Sequence, residues 1–84
     1  MTDTAALISE RETTHGDYSQ NARAAQDIKA VIRKHLPLDA SPEVRESLDL
    51  ISTKIARVCS GDGEFPDHWD DIAGYALLAR AKSE

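Results

Sequence analysis

Residues 41–61 read SPEVRESLDLISTKIARVCSG, and the fold class follows from this stretch. Ser41 suits an N-cap, where its hydroxyl oxygen accepts a hydrogen bond from a first-turn N–H that has no helical partner. Pro42 fits the first helical position, and Glu43 sits at the positive end of the helix dipole. Val44, Leu48, Ile51, Ile55 and Val58 then recur at spacings of three and four, which is one apolar stripe on a helix. Gly61 is placed to end the helix in a left-handed conformation. Neither this stretch nor the rest of the chain alternates with period two, so no sheet is expected.

Two more helices flank it. Residues 15–37, HGDYSQNARAAQDIKAVIRKHLP, open on a capping box of Asp17 and Gln20 and end at Pro37. Ala25, Ile28, Ile32 and His35 follow helical spacing, with His35 read as a packed helix-end histidine. Residues 65–80, FPDHWDDIAGYALLAR, begin a third helix at Pro66 or Asp67. Its expected inner face is Trp69, Ile72, Ala76 and Ala79, with His68 solvated in the first turn. A short helix over roughly residues 4–11 precedes these, with Ala5, Leu7 and Ile8 placed to dock on the core. The connections LPLDAS and GDGEFP are short, which favours antiparallel neighbours. The expected fold is all-α: one domain over residues 1–84, an antiparallel bundle of three main helices plus a short N-terminal one.

Composition narrows the function. At 84 residues the chain buries only about 60–65% of the surface its unfolded chain exposes, and aromatics make up only 5% of its residues, so the core is thin. A homo-oligomer sharing apolar surface is expected, with Leu50, Leu77 and Leu78 off the main stripes as interface candidates. The net charge of −5 argues against duplex nucleic acid, whose phosphates need a basic surface. Cys59 is the single cysteine and reads as a small buried hydrophobe; no intrachain disulfide is possible. A cytoplasmic setting is expected. No segment approaches the roughly 20 apolar residues of a membrane span, so no membrane partner is expected.

Up, down and up directions put the start of the first helix, the end of the second and the start of the third at one end. His15, Asp17, Tyr18 and Asn21 belong there, with Lys54 and Arg57, and with Asp67, Asp70 and Asp71. Carboxylates are hard oxygen ligands suited to Mg²⁺. Lys54 and Arg57 suit phosphate oxygens, and helix N-termini favour anions. Asn21 stands on an apolar line and needs polar partners. Plainer readings stand beside these. Asp67 with Asp70 is the spacing of an N-cap and its acidic third residue, and Asp71 with Lys54 or Arg57 fits an interhelix ion pair. Gly74 inside a helix suggests close helix packing.

THGDYSQNARAAQDIKAVI, VRESLDLISTKIARVCSGD and DHWDDIAGYALLAR resemble a family of small helical proteins encoded by tailed phages and bacterial prophages. The resemblance spans about residues 9–82 and implies a phage origin and a bacterial host cell. More loosely, the chain is similar to the MazG-like all-α nucleoside triphosphate pyrophosphohydrolases. That similarity implies acidic pairs on facing helices, Glu46 with Asp49 and Asp67 with Asp70, holding Mg²⁺ while a (d)NTP is bound or cleaved. At 1.5 Å per residue, however, the two pairs are offset by roughly 10 Å in an antiparallel hairpin, and Lys54 and Arg57 fall opposite Asp70. Two functions are therefore expected: nucleotide metabolism with Mg²⁺, or a non-catalytic phage accessory protein that binds a host protein.

Overall fold

Three capped segments become three helices: α1 (Tyr18–His35), α2 (Pro42–Ser60) and α3 (Pro66–Ser83). The computed structural model describes residues 17–83 together with 4, 5 and 7. Residues 4, 5 and 7 are helical and exposed, while the remainder of the expected N-terminal helix, Ile8 included, lies outside the described residues. All the regular structure among the described residues is helical.

The ends form for the reasons the sequence gives, with three exceptions. Asp17 caps α1, its carboxylate accepting from the Ser19 N–H at 3.4 Å, and Arg33, Lys34 and His35 favour the negative end of the dipole. Ser41 caps α2, its Oγ accepting from the Val44 N–H at 3.2 Å. Gly61 does terminate α2, its N–H donating to the Arg57 carbonyl at 2.8 Å. Its φ is −122°, however, so the expected left-handed cap is absent. Helix α3 starts at Pro66, which places Asp67 inside the first turn rather than ahead of it as a cap. His35 is exposed, and the apolar line of α1 ends instead on the half-buried Leu36.

Both connections are tied locally. The Arg45 guanidinium donates to the carbonyls of Pro37 and Leu38 at 2.8 Å each and of Ala40 at 3.2 Å, clamping the α1–α2 turn to the first part of α2. In the second turn the Asp62 carboxylate accepts from the Glu64 N–H at 2.9 Å, an Asx turn.

A shared groove of Ile32, Arg33, Leu36, Arg45 and Asp49 shows α1 and α2 running antiparallel. The Lys54–Asp71 ion pair sets the antiparallel register of α2 on α3. Helix α2 is the middle layer. Its α1 side carries Asp49, Ser52 and Ala56 at helical spacing; its α3 side carries Ser47, Leu50, Lys54 and Arg57.

The centre of the fold is made of small residues. Ala25 and Ala56 are the only buried hydrophobic residues among those described, and Ser47, Ser52 and His68 are the buried polar ones. The expected stripe of Val44, Leu48, Ile51, Ile55 and Val58 lies between the two sides of α2 that face its neighbours, so it is only half-buried and Ile55 is exposed. Small side chains let the helix backbones approach closely. The buried Ser52 hydroxyl is satisfied within the helix, donating to the Leu48 carbonyl at 2.7 Å. Cys59 is exposed rather than buried.

Helices α1 and α3 each lie against α2, but no Cα of one comes within 8 Å of a Cα of the other. The three helices form a row with α2 in the middle. This arrangement decides which polar residues meet.

Candidate functional site

The strongest side-chain convergence lies between the last two turns of α2 and the first two of α3. Lys54 Nζ reaches the Asp71 carboxylate at 2.7 Å, with the lysine side chain largely covered. One turn earlier on α3, His68 is only 1% exposed. Its backbone N–H donates to the Phe65 carbonyl at 3.2 Å, and its ring meets Phe65 edge-on with centroids 5.0 Å apart. Arg57 stands close enough to act on the Asp71 charge.

His68 was expected in solvent, and its burial is a correction. Trp69, expected inside, is 52% exposed, its indole N–H donating to the Gly63 carbonyl at 2.7 Å. The inner face of α3 is therefore His68, Ile72, Tyr75 and Ala79, not Trp69, Ile72, Ala76 and Ala79. The ion pair forces this rotation. With Asp71 held toward Lys54, the residues three before and four after it, His68 and Tyr75, must share its face.

The electrostatics centre on one carboxylate. The Lys54 hydrogen bond holds the Asp71 carboxyl below its ordinary value of 3.8; burial opposes this, and the charges of Lys54, His68 and Arg57 add to it. A depressed folded-state value means the pair stabilises the fold fully above the ordinary carboxylate value. That stabilisation is lost as pH falls through the depressed one. Acid titration of the melting temperature should therefore show a steeper loss for wild type than for Asp71→Asn, with the two curves converging once Asp71 is protonated. Parallel curves would remove the pair from the stability of this end. The pair is half-exposed, so added salt should shrink the difference.

The remaining site candidates divide into separate groups. The antiparallel register places the start of α1 level with the α2–α3 turn. However, Asp17, Tyr18 and Asn21 stand on the opposite side of α2 from Asp71. Tyr18 is 81% exposed, and the Asn21 side-chain oxygen is buried. His15 lies outside the described residues. Asp67 and Asp70 are exposed on the outer surface of α3. Glu46 is exposed, while Asp49 borders the groove shared with the end of α1. These two lie roughly 12 Å and 7.5 Å back from Lys54 toward the start of α2, taking 1.5 Å per residue. Glu46 and Asp49 therefore do not face Asp67 and Asp70. Among the described residues no group of three or more His, Cys, Asp or Glu side chains is placed to hold a metal ion. Within one chain the five acids Glu46, Asp49, Asp67, Asp70 and Asp71 do not come together as one such group.

Leu50 falls on the α3 side of α2 and is half-buried within the chain. Leu77 and Leu78 are 61% and 66% exposed. No helix among the described residues is long and apolar enough to cross a membrane. In comparisons with known proteins, no family model matches the chain, and no curated protein or solved structure matches it significantly.

Proposed function

We propose that this chain is a non-catalytic accessory protein, of the phage-encoded kind suggested by its sequence resemblance, that binds a basic surface on a host protein in the cytoplasm. The observation that carries the reading is the division of the acids. Asp71 is paired with Lys54, and no three of the acids gather in one group among the described residues, which supports reading them as surface charge rather than as a ligand set. Asp62, Glu64, Asp67 and Asp70 are exposed around the α2–α3 turn, and Asp17 is level with them on the far side of α2. A rigid acidic end of this kind steers a basic partner into place and rejects acidic ones.

The rival reading is nucleotide binding with Mg²⁺, and one experiment separates the two. Melting temperature is measured with Mg²⁺, with a panel of ribo- and deoxynucleoside triphosphates, and with both together. The accessory reading expects no Mg²⁺-dependent rise from any nucleotide. A saturable rise that needs both components, or release of pyrophosphate, overturns it. In the positive arm, a partner captured from host extract should be lost by the Asp62→Lys/Glu64→Lys variant and weakened by salt on the scale of the Debye length.

A further inference from the structure

A row of three helices has two broad faces, and here they differ in chemistry. On α2, Glu46, Thr53 and Ser60 lie on one face of the row, and the stripe from Val44 to Val58 lies on the other. Asp49, one turn before Thr53, shares a groove with Arg33, so Arg33 marks the polar face of α1. Ala24, Ile28 and Val31 are on the opposite side of that helix and join the stripe. Arg57, one turn after Thr53, acts on the Asp71 charge, so Asp71 marks the polar face of α3. Trp69, Ala73 and Ala76 are on the opposite side of that helix and join the stripe as well.

Each helix gives this apolar face a large side chain left open: Val31 is 61% exposed, Ile55 38% and Trp69 52%. The Trp69 indole N–H already donates to the Gly63 carbonyl at 2.7 Å, which leaves its ring for apolar contact. Arg80, at the far end of α3, is the one charged residue that helical spacing places on the face.

We propose that this face is the interface of a homodimer, in which two three-helix layers stack face to face about a two-fold axis beside Ile51. Domains close a core between two layers, and this chain supplies one: its only buried hydrophobic residues, among those described, are Ala25 and Ala56. A second copy supplies an equal and equally apolar layer. Helix α2 has 19 residues, so the face is about 28 Å long at 1.5 Å per residue. Three helices at the usual spacing of roughly 8–10 Å make it about 25 Å wide. The product, about 700 Å², is close to the roughly 800 Å² that each partner gives to a standard interface.

Symmetry and charge fix the orientation. A two-fold contact must be self-complementary: if residue i meets residue j, then j meets i. With α2 antiparallel on the second copy's α2, Val44 comes level with Val58 and Leu48 nearly level with Ile55. These positions alternate spacings of four and three, the pattern of a two-helix seam. Each chain carries a net charge of −5, and this orientation puts the two acidic ends at opposite ends of the dimer. Asp62, Glu64, Asp67 and Asp70 are off the face and stay exposed, so the inference is independent of the host-protein reading above.

The test joins sedimentation equilibrium with cross-linking of the full chain. At about 50 μM, a range that detects micromolar affinity, wild type is expected at twice the chain mass. Val31→Glu changes a side chain already open in the single chain, yet it places two carboxylates in the dimer contact. It should keep the helix content of wild type and weaken association at least tenfold. The second measurement is independent of that variant. In a Cys59→Ser background, Ile51→Cys lies beside the two-fold axis and should oxidise to a covalent dimer. Thr53→Cys, on the polar face, should link at least tenfold more slowly. A monomeric wild type overturns the proposal and leaves the face to the N-terminal residues or to a foreign partner. A dimer unaffected by Val31→Glu, or equal linking at residues 51 and 53, places the contact elsewhere and overturns it as well.

Discussion

Replacing Ala56 by leucine is expected to remove most of the cooperative stability of the fold. Ala56 has no exposed surface at all, and it lies on the α1 side of α2, level with Ala25. Leucine adds three heavy atoms where the helix backbones are held close by small residues. Overpacking of a filled site costs typically about 1–3 kcal/mol. That is a large share of what so short a chain can muster, because domains of this size are marginal to begin with. Urea melts followed by circular dichroism should show a lower midpoint or a broad, non-cooperative transition. Ile55→Leu is the control, since Ile55 is the exposed neighbour and tolerates the swap with a change of about 0.5 kcal/mol or less. Equal midpoints for wild type and Ala56→Leu would show that α1 does not pack closely on α2.

The second large effect is expected from His68→Ala. A solvated first-turn histidine would tolerate alanine with almost no change. His68 is instead nearly inaccessible, edge-on to Phe65 and between the turn and the Lys54–Asp71 pair. Its removal leaves a cavity under the start of α3, with an expected cost of about 2–4 kcal/mol by analogy with large-to-small core substitutions. His68→Phe separates the causes. If packing dominates, phenylalanine recovers most of the loss; if the imidazole's polar groups matter more, it recovers little. A tolerated alanine would return His68 to the surface and undo the assignment of the inner face of α3.

The helices themselves were legible in the sequence because their ends are written in local chemistry. Asp17, Ser41, Pro42 and Pro66 act within a few residues of their own position, so no tertiary information is needed to read them. The face of α3 was not legible from periodicity. Its apolar residues run round the helix, and the sets headed by Trp69 and by His68 differ by one residue of rotation. Hydrophobicity favours Trp69 in that choice, but the ion pair of Lys54 overrides it. A signal was present: Asp71 with Lys54 or Arg57 fits an interhelix ion pair, and Asp71 held toward Lys54 brings His68 to the inside. Leu77 and Leu78 stand out as off-stripe leucines in the sequence, whereas the half-burial of Leu50 depends on which side of α2 receives α3.

The candidate site was legible only in part, for a different reason. Short connections establish that successive helices are antiparallel, and so gather polar residues at one end. They do not establish whether the third helix returns to the first. Asp17 and Asn21 were therefore grouped with Asp70 and Asp71, while the fold keeps the two groups on opposite sides of α2. The offset of Glu46 and Asp49 from Asp67 and Asp70 did follow from helical rise alone.

The row of three helices has an energetic consequence. Because α1 and α3 keep their backbones apart, the chain is expected to respond to damage through two nearest-neighbour couplings that share α2. Damage at Ala25 is felt by α2 directly and by α3 only through it. Losses on the two flanks therefore accumulate nearly independently, and α2, which belongs to both couplings, sets the stability of the whole.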